Sequence, residues 1–471
     1  MKPLWDLCKP RDSVFKDNVR DDVLDLIDLA QNRIVADKFF EENFLTKGME
    51  ELIKSAFLKF QSKGTTSLIR LTQAMGGGKT HSMITLGLLA KNPTYRNKIP
   101  SLNLDWNKPV RVVAFTGRES DAPFGIWGSI AEQLGKKELF NDYYTPLQAP
   151  GQSAWINLLK GDPLLILFDE LPPYLENALS KTVGNSDLSK ITQTALANLF
   201  NAVNRPELNN VCVVLSDLNA SYTTGSEMLL STFSNLQNEI NRVAVNIEPV
   251  GSNTDDIYHI LKKRLFEKLP TPEEVNEVAL EFKAALAQTK SMQLTSLLPD
   301  AIYTGIKDNY PFHPSTKFLY ERFKENQGFQ QTRGLIRIMR KIVSQLYSGD
   351  QPKAKEKSII HVYDFDLHDR EMNTMIVQIK TSLSNAISHD ICSEGKGVSE
   401  ALEKENPNSH LSEVAKLLLV SSLADIPNAL LGLSIPEILG FISSPGLDIT
   451  QIKQNLEDFS LKAWYLHQRD G

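Results

Sequence analysis

"LIRLTQAMGGGKTHSM" (Leu68–Met83) joins a short apolar run to three glycines, a lysine and a threonine, and then to a second apolar stretch. A phosphate-binding loop of Walker A type reads Gly, four residues, then Gly-Lys-Ser/Thr. Gly78-Lys79-Thr80 supply the second half, and counting back puts Gln73 where the first glycine usually stands. Such a loop needs a strand that stops, backbone N–H groups that converge on anionic oxygens, and a helix whose N-terminus faces them.

The flanks meet that requirement, with "SLIRL" (67–71) reading as a strand and "THSMITLGLLA" (80–90) as a helix. Gly76, Gly77 and Gly78 let the backbone approach phosphate without side-chain obstruction. Lys79 is placed to reach the β- and γ-phosphates of ATP, and the Thr80 hydroxyl to ligate Mg²⁺. The missing first glycine bears on loop shape rather than chemistry. Met75 adjoins the glycines, and His81 follows Thr80, packing or hydrogen-bonding locally. The competing reading is a glycine-rich turn with a surface lysine.

A P-loop also requires an acid on a neighbouring strand. "LLILFDE" (164–170) is an apolar strand ending in Asp169 and Glu170. In this arrangement Asp169 holds Mg²⁺ through water and Glu170 polarises the attacking water. An ordinary strand-end acid pair is the alternative, and the loop upstream weighs against it. Three further residues join the candidate site. Ser216 ends the strand "VCVVLS" (211–216), where a polar group could sense γ-phosphate or simply cap the strand. Arg242 opens "RVAVNI" (242–247), where an arginine could reach a neighbouring subunit's nucleotide or lie in solvent. Arg333 opens a helix in "QTRGLIRIMRK", positioned for a lid over ATP.

The strand candidates 67–71, 110–115, 164–168, 211–216 and 242–247 are short and rich in branched residues, and each connection is long enough for a helical crossover. The expected fold class is α/β, a five-stranded parallel sheet covered on both faces. The chain divides into a helical N-terminal extension (1–65), the α/β core (66–251), a helical lid (252–350), a linker or helical segment (351–408) and a terminal module (409–471). In the extension, Thr46 is the expected cap of a helix with Glu50 in its first turn. The terminal module reads helix, helix, helix, strand, the order of a winged helix. Its wing strand would be "KAWYLHQRDG", stopping in the wing turn at Gly471, so the expectation is a domain cut short within a longer protein.

The 471 residues carry 41% hydrophobic and 23% charged residues and a net charge of −6. This is a globular composition of about two to four domains, and its charge announces neither a nucleic-acid nor a membrane binder. Residues 301–350 hold eight Lys/Arg against four Asp/Glu, a mild basic bias that a solvated helix face explains as well as a DNA contact does. The expected third helix of the winged module, "DITQIKQNLEDF", carries Lys453 against Asp448, Glu457 and Asp458, which favours a protein contact over DNA. Cys8, Cys212 and Cys392 are scattered, favouring a reducing compartment and offering no metal-ligand spacing. The N-terminus lacks a signal-peptide apolar region, and the apolar runs fall far short of the ~20 residues that span a bilayer. The cytoplasm is the expected location.

The order of strand, P-loop, strand, Asp-Glu strand, polar-ended strand, Arg strand and then helical lid resembles an AAA+ ATPase core. More narrowly, "FFEENFLTKGMEELI" (39–53), "GGGKTHSM" (76–83), "FGIWGSIAEQLG" (124–135), "LLILFDELPPYLENA" (164–178) and "YPFHPSTKFLYERFKENQGFQQTRGLIRIM" (310–339) resemble a bacterial family of large P-loop ATPases known as domain of unknown function 499. Where that family commonly has an aromatic residue before the glycines, Met75 stands. The resemblance implies a nucleotide site of Lys79, Thr80, Asp169 and Glu170, with Arg333 in the lid. It also implies an anti-phage defence setting beside DNA methyltransferases or helicases. The expected function is ATP hydrolysis that remodels or gates such an assembly, through homo-oligomers. The alternatives are a nucleotide-dependent switch with negligible turnover and a DNA-stimulated motor.

Overall fold

The computed structural model describes the chain except residues 17–23, 73–75, 119–120, 218–226, 252–255, 325, 327–328, 330 and 468–471. The chain forms two compact units, one built from Asp22–Asp256 and the other from Met1–Asp21 together with Ile257–Gly471. Among the described residues no helix is long and apolar enough to cross a membrane.

The continuous unit is organised by five parallel strands: β1 (Leu68–Leu71), β2 (Arg111–Thr116), β3 (Leu164–Asp169), β4 (Val211–Ser216) and β5 (Val245–Ile247). Their spatial order is β2-β3-β4-β1-β5. Every residue of β3 and β4 is buried, as expected of central strands covered on both faces. Side-chain alternation divides their apolar residues between two cores. Leu164, Ile166, Phe168, Val211, Val213 and Leu215 enter one core. Leu165, Leu167, Cys212 and Val214 enter the other. Each such side chain contributes on the order of 1.5–3 kcal/mol by leaving water.

The second of these cores is closed by α1 (Leu26–Ala30), α2 (Ala36–Glu42), α3 (Lys47–Phe60) and α4 (Lys79–Lys91). Thus the helices read from sequence as an N-terminal extension cover one face of the sheet. Thr46 caps α3 by accepting from the Met49 N–H at 3.1 Å, and its hydroxyl donates to the Pro249 carbonyl just past β5. The opposite face is covered by α5 (Gly125–Gln133), α6 (Gln152–Leu159), α7 (Leu171–Leu179), α8 (Leu188–Ala202) and α9 (Glu227–Val243).

The expected strand 242–247 is trimmed at its start. Helical periodicity carries α9 through Val243, with Ile240 fully buried and accepting from the Ala244 N–H at 2.8 Å. Arg242 therefore lies in the last turn of a helix and does not open the strand.

The discontinuous unit is almost all helical. Its helices include α10 (Asp256–Leu265), α11 (Pro272–Ser291), α12 (Pro299–Asn309), α13 (Ser315–Phe323), α14 (Gln331–Tyr347) and α15 (Arg370–Ile379). They continue with α16 (Val398–Glu405), α17 (Leu411–Ser421), α18 (Ile435–Ile442) and α19 (Ile449–Lys462). One hydrophobic core takes residues from all parts of this unit, from Leu4, Leu7 and Val14 through Phe282, Phe312 and Met339 to Leu417, Ile438 and Leu456. The N-terminal residues are fastened by backbone as well. Leu4 donates its N–H to the Lys357 carbonyl at 2.7 Å, and Lys9–Pro10 pairs antiparallel with Phe266–Lys268. That short pairing is an exception to the wholly helical pattern expected after residue 252.

The wing strand expected after α19 does not form over residues 463–467, and residues 468–471 lie outside the described residues. The physical reason is a tertiary contact: the Trp464 and Tyr465 N–H groups donate to the Asp390 carboxylate at 2.9 and 2.7 Å, instead of to a partner strand. The Trp464 ring also stacks on His389, with centroids 4.1 Å apart.

Candidate functional site

Strand register brings the candidate residues to one edge of the sheet. Leu71 is level with Ser216, Thr116 is level with Asp169, and Phe168 is level with Leu215. Thr116, Asp169, Ser216 and Leu71 therefore form one row at the carboxyl ends of four adjacent strands. In open parallel sheets this edge is where ligands bind, between adjacent strands whose onward connections run in opposite directions. Here those strands are β1 and β4: the chain leaves β1 for β2 on one side of the sheet and leaves β4 for β5 on the other.

The loop leaving β1 turns on two glycines in the left-handed region, Gly76 at φ 84° and Gly78 at φ 83°. An L side chain at either position would strain the backbone. Gly78 is the N-cap of α4, and no side chain caps that end among the described residues. The first turn of α4 lies in the positive field of a helix N-terminus. Met75, a sequence candidate, lies outside the described residues, as does Gln73.

Thr80, in the first turn of α4, donates its hydroxyl to Asp169 Oδ2. Asp169 is only 4% exposed. Burial pushes its pKa above the ordinary carboxylate value, and the Glu170 charge adds to this, while hydrogen bonds from Thr80 and Ser216 and the Lys79 charge work against it. Ser216 thus serves both acids, donating to Asp169 and accepting the Glu170 N–H at 3.0 Å. That N–H also lies 3.0 Å from Asp169 Oδ1.

Glu170 itself sits at φ 48°, a left-handed conformation that a non-glycine residue adopts at some cost. It turns the chain sharply from β3 into α7 and puts the carboxylate on the open side of the row. There it meets Arg118, a residue that the sequence analysis passed over. Arg118 Nε and Nη2 reach the two Glu170 carboxylate oxygens, the second at 3.3 Å. The available signal was positional: Arg118 stands two residues beyond the end of β2, in "AFTGRES", and β2 pairs with β3. Gly117 between them donates its N–H to the Asp169 carbonyl at 2.8 Å, and a Cβ there would stand 1.7 Å from the Glu170 carbonyl oxygen.

The structure therefore brings Lys79, Thr80, Asp169, Glu170 and Ser216 together, with Arg118 added. His81 faces the N-terminal helices: its Nε2 lies 2.6 Å from Asn43 Oδ1, and its ring packs on Phe39 at 4.6 Å. Arg242 is bound to Glu239 at 2.8 Å and to Asn201 at 3.0 Å on the helical face. Arg333 lies in the first turn of α14, in the other unit.

Residues 5–107 and 105–251 match the DUF499 N-terminal domain, and residues 252–433 match the DUF499 second domain. The chain belongs to the DUF499 family. No curated protein matches it. The DUF499 domain boundary at 251/252 falls close to the point where the chain passes from the continuous unit into the helical one. The DUF499 N-terminal domain differs from that unit in one respect, since it begins at residue 5 and so includes residues that pack in the helical unit.

Proposed function

We propose that this DUF499 protein binds and hydrolyses ATP as an AAA+-type P-loop ATPase, with Mg²⁺ as its divalent ion. The observation that carries the reading is the hydrogen bond from Thr80 to Asp169, which joins the glycine loop of β1 to the acidic end of β3. A hydroxyl and a carboxylate are hard oxygen donors of the kind Mg²⁺ takes. When bound, Mg²⁺ offsets the charge that develops on the phosphates. In this reading the α4 N-terminus and Lys79 hold the phosphate oxygens, Thr80 and Asp169 hold the ion, and Glu170 accepts a proton from the attacking water. Ser216 holds Asp169 and, through the Glu170 N–H, the turn that carries Glu170. Strand order, register and the left-handed glycines support the same reading.

Binding of a fluorescent ATP analogue and steady-state phosphate release test it. Lys79→Ala is expected to weaken binding at least ~10-fold, through loss of a charge-assisted contact. Glu170→Gln is expected to leave binding intact and lower turnover by about 10²–10⁴-fold, the usual worth of a general base. Binding that ignores Lys79 would sink the site.

One observation favours a second reading, a nucleotide-dependent switch with negligible turnover: the carboxylate assigned as the base is engaged by Arg118. Retained nucleotide without phosphate release would support it. The anti-phage setting implied by the resemblance, with a DNA methyltransferase or helicase as partner, belongs to the proposal too, and co-purification with the products of neighbouring genes tests it.

A further inference from the structure

The helical unit gathers three metal-binding side chains that lie far apart in sequence. His368 is in the turn before α15, Cys392 directly follows a short helical turn at Ile387–Ile391, and Glu400 is in the first turn of α16. One ligand atom from each lies within 4.8 Å of the other two, and His368 Nε2 is 2.9 Å from Glu400 Oε1.

The two oxygens of Glu400 have separate tasks. Oε2 accepts three backbone N–H groups, from Ser393 at 2.8 Å, Gly395 at 3.0 Å and Gly397 at 3.1 Å. That arrangement closes the loop after Cys392 and caps α16, so it accounts for Oε2. It leaves Oε1 to the imidazole, with the Cys392 thiol within 4.8 Å of the other two ligand atoms. The carboxyl is held below its usual range: burial opposes ionisation, but the Ser393 and Gly397 N–H groups and the His368 charge outweigh it. The turn that carries His368 is fixed by its backbone N–H, which donates to Asp366 Oδ1 at 2.9 Å.

We propose that His368, Cys392 and Glu400 form a three-ligand site for Zn²⁺. Thiolate, imidazole and carboxylate on one centre is a donor set for a borderline-soft transition metal, not for Mg²⁺ or Ca²⁺. Tetrahedral Zn²⁺ with bonds of about 2.0–2.3 Å sets its ligand atoms about 3.3–3.8 Å apart, so small side-chain rotations close the cluster on an ion. The backbone N–H groups on Oε2 are the outer hydrogen bonds that a ligating carboxylate needs. The thiol proton leaves to solvent as the Zn–S bond forms. His368 is exposed, leaving a fourth position for water. Bound Zn²⁺ would join the turn before α15, the segment after Cys392 and the start of α16.

The test uses the full chain, freed of metal by a chelator and then titrated with Zn²⁺ in competition with a chromophoric chelator, and separately with Co²⁺. One Zn²⁺ per chain is expected. Co²⁺ should give a thiolate charge-transfer band that Cys392→Ser removes while Cys8 and Cys212 remain. His368→Ala and Glu400→Gln should each weaken Zn²⁺ at least ~10-fold. Zn²⁺ should also raise the unfolding temperature and protect Cys392 from a thiol reagent. His368→Ala changes an exposed side chain and leaves the Glu400 cap in place, so its result does not hinge on folding. Zn²⁺ binding unchanged by His368→Ala, a Co²⁺ spectrum without the thiolate band, or no binding at all would overturn the proposal.

Discussion

Arg118 grips the Glu170 carboxylate with two guanidinium nitrogens, across the ends of two paired strands. Glu170 is the residue proposed to activate water, so its proton-accepting oxygens are occupied by a cation. The pair is open to solvent, with side chains 67% and 37% exposed, so its worth to folding is about 0–1 kcal/mol. Its weight falls on function instead. Arg118→Ala is expected to raise basal phosphate release several-fold and to leave the unfolding temperature unchanged. A fall in turnover would mean that Arg118 assists the chemistry.

The buried Asp169 gives a prediction with a definite sign. Its folded-state pKa lies above the ordinary carboxylate value, with burial as the largest cause. The stability it contributes is therefore full below the unfolded value, about 4, and is lost as pH rises through the raised folded value. Asp169→Asn, neutral at every pH, should unfold at a higher temperature than the parent at pH 8. The gap should narrow as pH falls toward 4. The same variant should lose Mg²⁺-dependent nucleotide binding. Thermal unfolding across that pH range checks the first claim, and a parent that is the more stable of the two at pH 8 contradicts it.

Gly117 is a steric prediction. A methyl group there would meet the Glu170 carbonyl oxygen at 1.7 Å, and that oxygen is backbone, unable to swing aside as a side chain could. Gly117→Ala must displace the β2 or β3 terminus, at on the order of 1–3 kcal/mol. It should lower the unfolding temperature and reduce phosphate release together. An alanine variant matching the parent in both would refute the packing described.

Much of the sheet was legible because its strands are short, branched and bounded by turn residues. "LLILF" and "VCVVL" are apolar throughout, as strands covered on both faces must be. The loop and acid pair were legible because their spacing is local. Arg242 was misplaced because helical and strand patterns meet within a few residues there, and the buried Ile240 decided for helix. The wing was expected from element order alone, a signal silent about Asp390, which takes the Trp464 and Tyr465 N–H groups from about seventy residues away. Arg118 and the His368–Cys392–Glu400 cluster were missed for a related reason. Each depends on residues brought together by tertiary packing, with no fixed interval between them.

Because Asp22–Asp256 interrupts the helical unit, the order in which the chain is made differs from the order in which its parts can be completed. On a ribosome Leu4, Leu7 and Val14 emerge before Asp22–Asp256 and have no core to join until the helices after Ile257 follow. The continuous α/β unit can fold first, as units do during synthesis. Removing Met1–Asp21 should accordingly leave nucleotide binding intact and expose the helical unit to protease, with Tyr347 losing the Leu4 carbonyl it reaches at 2.9 Å. Met1–Asp21 joins the helical unit only after Asp22–Asp256 has been made.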